Sequence, residues 1–308
     1  MQKSPTIEFL RILGALGIVW YHARGPGYEA AYAGLVLFLI MSVYLAGPVP
    51  AGGLPVARRA RRLLLPWLLW QLVYGAVNLA THQPLLPTEN GLLAGVLAGA
   101  SIHLWYLPFI FIFLLGYDLL RSHVPARPIA ILGGAGAALM LGATAWWWPL
   151  LSTLGYPLAQ YVHASAGLGL GMYFANAATL PWHLRAVLTG AIALAVAGAL
   201  AFHGVGLPYL LGIAVAGLLL APPLPAHLGR WINPLGAATF GVYCAHILVM
   251  RILAKFTHVE GALLPVSTFV VSMAVVMLAQ RALARFKRDR RSQPPSIAAG
   301  SARGGAGL

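Results

Sequence analysis

Four short stretches of this chain carry the residue types that chemistry needs. The first is "PTIEFLRILGALGIVWYH", residues 5–22. Eleven helical steps separate Arg11 from His22, which leaves them about 20° apart around a helix axis and about 16 Å apart along it. Glu8, three residues before Arg11, falls on nearly the same face and can pair with its guanidinium. An imidazole suits proton transfer near neutral pH, and it can also accept an acyl group covalently. The plain alternative makes Glu8 and Arg11 anchors at one membrane surface and His22 a histidine at the other.

The second stretch, "VARRARRLLLPW", sets Arg58, Arg59, Arg61 and Arg62 just before an apolar run. Guanidiniums present planar forks of donors to phosphate oxygens, so four together make an anion site. Taken by position alone, they equally suit a contact with lipid headgroups. The third stretch, "SIHLWYLPFIF", holds His103, Trp105 and Tyr106; an aromatic belt at the membrane interface would look the same. The fourth, "LGAATFGVYCAHILV", places His246 near the middle of an apolar segment, with Tyr243 one turn earlier. A histidine there is a pore or acceptor-site candidate, or else a hydrogen bond between packed helices.

The elements that must carry these residues follow from composition. Of the 308 residues, 60% are hydrophobic and 8% are charged, whereas soluble domains carry about 25% charged residues. Apolar runs of about 20 residues, the length of a membrane-crossing helix, recur along the chain. They are continuous rather than alternating, which favours helices over the strands of a barrel. The expected fold is an all-α polytopic integral membrane protein. About ten transmembrane helices are placed near residues 7–23, 33–48, 63–81, 103–120, 128–148, 159–177, 186–203, 206–222, 235–255 and 264–284. Ten crossings leave both termini on one side, with only Arg24, Arg251 and Lys255 of the 20 Lys and Arg opposite. By the positive-inside rule both termini are expected in the cytoplasm. The net charge of +14 is then topology and attraction for anionic membrane lipids, and no nucleic-acid partner is expected.

One membrane domain is expected over residues 1–285, followed by a basic, Gly/Ser/Pro-rich tail, 286–308, with the composition of a disordered cytoplasmic segment. Cys244 is the lone cysteine, which leaves no intramolecular disulfide or thiolate metal site. The first segment lacks the small-residue cleavage site of a secretory signal and reads as a retained span. No two histidines stand at helical ligand spacing beside an acid, so no metal is expected.

Taken in order, these stretches resemble the membrane-bound acyltransferase-3 family. The resemblance rests on Glu8, then Arg11 with His22 eleven residues on; on "FLIMSVYL", residues 38–45, around Ser42; on "RRARRLLLPW"; on "HLWYLP"; and on the late "FGVYCAHILV". "GLGLGMYFANA", residues 167–177, is similar to the Gly-rich span of the branch with surface-polysaccharide O-acetylases. One departure is Val43, where the family usually has Gly after the serine.

The resemblance implies a multi-pass enzyme of the bacterial inner membrane. It would move an acyl group, most often acetyl, from acetyl-CoA to a hydroxyl of a lipid-linked sugar or surface polysaccharide such as exopolysaccharide or O-antigen. Coenzyme A phosphates would bind Arg58, Arg59, Arg61 and Arg62, while Arg11, fixed by Glu8, orients the donor. His22 would act as general base, in preference to a covalent acyl carrier. Ser42, His103, Trp105, Tyr243 and His246 would line the pore or acceptor site. No appended extracytoplasmic domain is expected, so the acceptor should come to the membrane itself. The rival reading is a flippase or transporter of a lipid-linked sugar. Proton-coupled carriers usually set carboxylates within their spans as relays, and here only Glu8 and Asp118 fall inside, both near the cytoplasmic edge. A non-catalytic subunit is the third reading, and it predicts that Arg11 and His22 are replaceable.

Overall fold

A computed structural model describes residues 4–50, 53–202 and 204–292, with side chains up to Arg288. The structure is 78% helical, with no strand among the described residues. Ten helices follow one another as α1 (Pro5–His22), α2 (Ala33–Tyr44), α3 (Val56–Ala80), α4 (Tyr106–His123), α5 (Ala126–Gly142), α6 (Leu158–Asn176), α7 (Trp182–Ala199), α8 (Gly206–Ala216), α9 (Gly229–Phe256) and α10 (Leu263–Ser292). Each overlaps one of the apolar runs of the sequence. Short helical turns such as Tyr28–Ala31 and Leu92–Ala98 fill the connections.

Four helical stretches are both long and apolar enough to cross a bilayer unaided: Val56–Ala80, Trp182–Ala199, Ala226–Phe256 and Leu263–Arg288. Helices of 11 and 12 residues, such as α8 and α2, rise only about 17 Å, short of the hydrocarbon thickness of about 30 Å. They cross most of the apolar layer only with their flanking turns. Polarity is inverted relative to a water-soluble fold. Leu72, Leu139, Trp182 and Leu194 lie exposed on outer faces, while Glu8, His103, Asp118, His163 and His246 are buried. This is an all-α membrane protein.

Helix α1 is central: it packs against α2 on one side and α9 on the other, and α9 is backed by α10. Helix α2 also meets α6 and α8, α6 meets α5, and α5 meets α7. Small residues permit these approaches, since helices in lipid associate through close van der Waals contact. The place of Val43 in this packing accounts for the departure noted above. A Cβ added to Gly171 of α6 would lie 2.7 Å from the Val43 Cβ and 3.0 Å from the Ile40 carbonyl. The glycine that lets α2 approach its neighbour therefore stands on the facing helix.

Several boundaries differ from the sequence expectation: α3 begins at Val56 rather than 63, α9 begins at Gly229 rather than 235, and α5 and α8 end at Gly142 and Ala216 rather than 148 and 222. Helix α4 begins at Tyr106, not 103, so His103 sits in the turn before it. Helix α10 runs on through residues 286–292, because "RALARFKR" is rich in strong helix formers and cations suit a helix C-terminus. The rest of the expected tail, 293–308, lies outside the described residues.

Candidate active site

Pro5 opens α1, where its fixed φ and missing N–H cost nothing. The next turn carries Glu8, whose side chain is 4% exposed and accepts a 2.8 Å hydrogen bond from Arg11 Nη1. Glu8 reaches this depth because α9 offers Gly236 opposite; a Cβ there would collide with the carboxylate. Arg11 is 30% exposed and lines a cavity of about 340 Å³ with Ser42, Arg59, Arg62, Tyr106 and Tyr243.

The arginine cluster divides in two. Arg59 and Arg62, three residues apart on one face of α3, line this cavity, whereas Arg58 and Arg61 are exposed and do not. Arg59 is held from α4: its Nε and Nη2 donate to the two Asp118 oxygens at 2.5 and 2.7 Å. Arg121 donates to Asp118 as well, through Nε at 3.1 Å. Asp118 is fully buried, and its one negative charge offsets half of the two positive charges that meet it. Opposed charges with two-pronged geometry make the carboxylate a clamp that fixes the Arg59 fork.

A second, smaller space of about 60 Å³ lies along the bundle, lined by His22, His103, Trp105, Tyr156 and Gln160. Tyr106 and Tyr243 line both spaces and so form the wall between them. Their rings are 5.8 Å apart. The Tyr106 hydroxyl is 2.9 Å from Ser42 Oγ and 3.3 Å from the Phe38 carbonyl, and the Tyr243 hydroxyl donates to the His103 carbonyl. Trp105 packs on Phe109 and Tyr161 at the edge of the smaller space.

Three imidazoles from distant parts of the chain meet here. Ring centroids are 5.2 Å apart for His22 and His246, 4.8 Å for His103 and His246, and 6.3 Å for His22 and His103. A carbonyl can only accept, so its partner nitrogen must carry hydrogen. His103 Nε2 therefore donates to the Cys244 carbonyl at 3.3 Å, and its Nδ1 accepts from the Ser101 hydroxyl at 3.1 Å. His246 Nδ1 donates to the Tyr243 carbonyl at 2.7 Å, which leaves Nε2 as a bare, buried lone pair without a partner. The His22 ring makes no hydrogen bond among the described residues and opens onto the smaller space. No group of three His, Cys, Asp or Glu among the described residues is arranged to hold a metal ion.

The structure thus brings Arg11, Ser42, Arg59, Arg62 and Tyr243 to the larger space, with Glu8 buried behind Arg11 and outside the lining. It brings His22, His103, Trp105 and again Tyr243 to the smaller, with His246 behind them. Sequence reasoning overlooked Tyr74, whose hydroxyl donates to the Cys244 carbonyl at 2.9 Å and accepts from the Leu248 amide at 3.1 Å. It thereby steadies the stretch of α9 that carries His246. No local signal marks Tyr74. Tyr106 stands inside a quoted motif, and the clamp role of Asp118 was hidden by sequence distance from Arg59.

An imidazole thus faces one space while guanidiniums face the other. Residues 5–281 match the acyltransferase-3 family, described as an acyltransferase domain. No curated protein and no solved structure matches the chain. With the match covering most of the sequence, the chain belongs to the acyltransferase-3 family, and it is a membrane acyltransferase.

Proposed function

We propose that the protein transfers an acyl group, acetyl in the first instance, from acetyl-CoA to a hydroxyl of a lipid-linked sugar or surface polysaccharide. In this reading it sits in the bacterial inner membrane with both termini in the cytoplasm. The observation that carries the proposal is the pair of unlike spaces sharing the Tyr106–Tyr243 wall. Arg11, Arg59 and Arg62 give the larger space the donors that phosphates seek. His22 gives the smaller space a base for a hydroxyl.

The thioester arm enters from the arginine side and the sugar hydroxyl from the histidine side. His22 removes the hydroxyl proton as the oxygen attacks the thioester carbon. The C–S bond then breaks, the thiolate takes the proton that His22 removed, and an ester and a free thiol leave with His22 neutral again. Arg11, pinned by Glu8, orients the donor, and Ser42 holds Tyr106 in the wall. Arg58 and Arg61, outside the larger space, serve lipid headgroups or the outermost phosphate of the donor.

The test is release of free thiol from acetyl-CoA by the purified protein in lipid nanodiscs, with and without a polyprenyl-linked sugar. Acceptor-dependent release that disappears in His22→Ala supports the reading. Acceptor-independent hydrolysis, or none at all, overturns it. Mass spectrometry of surface glycan from a deletion strain adds the cellular arm: lost acetyl mass supports acetyl transfer, and unchanged acetylation with altered export favours the flippase.

A further inference from the structure

Among the three imidazoles, the hydrogen bonds assign unequal capacities. His103 has both ring nitrogens engaged, one with the Cys244 carbonyl and one with Ser101. His246 is fully buried, and its tautomer is fixed by the Tyr243 carbonyl, so the lone pair on Nε2 is permanent. That lone pair has no partner. A buried polar atom left unpaired is costly, and such an atom asks for a function. The nearest ring to be satisfied is His22, with its centroid 5.2 Å away and its plane tilted by 40°. Two imidazoles joined by a hydrogen bond of normal length have centroids about 5 Å apart. That separation leaves room for a ring N–H of His22, once turned toward α9, to meet His246 Nε2.

From this we infer that His246 is the positioning residue of the base, accepting a hydrogen bond from His22. The inference rests on the proposed role of His22. When His22 is neutral, one ring nitrogen carries hydrogen and the other is the base. An acceptor at His246 Nε2 holds the hydrogen on the nitrogen that faces α9, which leaves the bare nitrogen turned to the acceptor space. When His22 takes the hydroxyl proton, both nitrogens carry hydrogen, and the same bond stabilises the cation; no proton needs to move on to His246. Tyr74 and Tyr243 then matter indirectly, because they fix the α9 backbone at Cys244, Leu248 and Tyr243. His103 cannot take this part without losing Ser101 or Cys244.

Two substitutions separate orientation from packing. Asn at 246 can keep a donor near the Tyr243 carbonyl but has nothing at the ε position, whereas Gln can place an amide oxygen there. With acetyl-CoA and a polyprenyl-linked sugar, His246→Asn should lower kcat by about 100-fold, less than the roughly 10,000-fold that loss of a charged orienting carboxylate costs a general base, because the partner here is neutral. KM for both substrates should stay within about threefold, the sign of an interaction made in the transition state. His246→Gln should recover at least about a tenth of wild-type kcat, since it restores an acceptor. Full activity in His246→Asn, or equal losses in both variants, would overturn the inference. A second readout needs no turnover: nitrogen NMR of the ¹⁵N-histidine-labelled full chain in micelles, with the His22 signals identified by His22→Ala. His246→Asn should move the His22 ring resonances and His246→Gln should move them less; unmoved resonances overturn the inference. Wild-type protein inactive with acetyl-CoA would refute the donor reading, and the NMR result alone would then decide the His22–His246 contact.

Discussion

At the arginine end of the site charge meets charge. Glu8 takes Arg11, and Asp118 takes Arg59 and Arg121. At the histidine end no formal charge is needed, because backbone carbonyls of Tyr243 and Cys244 fix which ring nitrogens carry hydrogen. At each end a half-buried side chain, Arg11 or His22, stands in front of a buried one, Glu8 or His246. A phosphate-bearing donor that must come and go suits fixed cations near solvent. A proton that must move once per turnover suits neutral imidazoles whose tautomers are settled in advance. In the function proposed above one region binds and the other reacts, and each can be disturbed separately.

The largest expected effect falls on the reacting end. His22→Ala should reduce acetyl transfer by about 100- to 10,000-fold, the usual worth of a general base, with inserted protein and donor binding unchanged. Measured turnover above half of wild type would remove His22 from the chemistry. At the binding end the deepest contact is Asp118. Asp118→Ala leaves two guanidiniums facing each other without a carboxylate, and loss of one partner from a buried ion pair costs about 3–5 kcal/mol. Its thermal unfolding midpoint in detergent should fall well below wild type, and an unchanged midpoint would mean the clamp carries no stability.

A smaller effect is expected when the cations facing the larger space are removed. Arg59 and Arg62 changed together to Ala should raise KM for acetyl-CoA by about tenfold and lower kcat less, as expected for lost uniform binding. Added salt should push KM in the same direction, since exposed ion contacts are screened. The histidine-end variants should show no such salt dependence, and an equal response at both ends would dissolve the contrast drawn above. Least affected should be the pair Arg58→Ala and Arg61→Ala, whose side chains lie outside that space. KM for acetyl-CoA should change by less than about twofold, in line with the small worth of exposed charges. A rise equal to that of the Arg59 and Arg62 pair would return all four arginines to a single donor site.

Much of this protein was legible from local pattern alone. Apolar runs placed the helices, with errors of up to about two turns at boundaries such as the start of α3, because the drive to leave water is summed over a window and does not mark its edges. Glu8 and Arg11 could be paired on paper because three residues along a helix are neighbours whatever the fold. The same holds for Arg59 and Arg62 sharing a face. Nothing local, however, separated those two from Arg58 and Arg61; that depended on which face of α3 turns toward α4.

What the chain determined by itself was therefore the membrane-helical class, the stripe that joins Glu8, Arg11 and His22, and the resemblance that points to acyl transfer. Only the tertiary structure decided which partners meet across helices. Asp118 clamps Arg59 from 59 residues away, Gly236 makes room for Glu8, Gly171 receives Val43, and His22, His103 and His246 come together. Each of these depends on how far one helix is rotated and how deep it sits against another. A periodicity of 3.6 residues reports which side chains share a face, but it holds no information on what that face will touch. That is settled by packing across the whole bundle, where small residues set the distance of approach and buried polar groups must find partners.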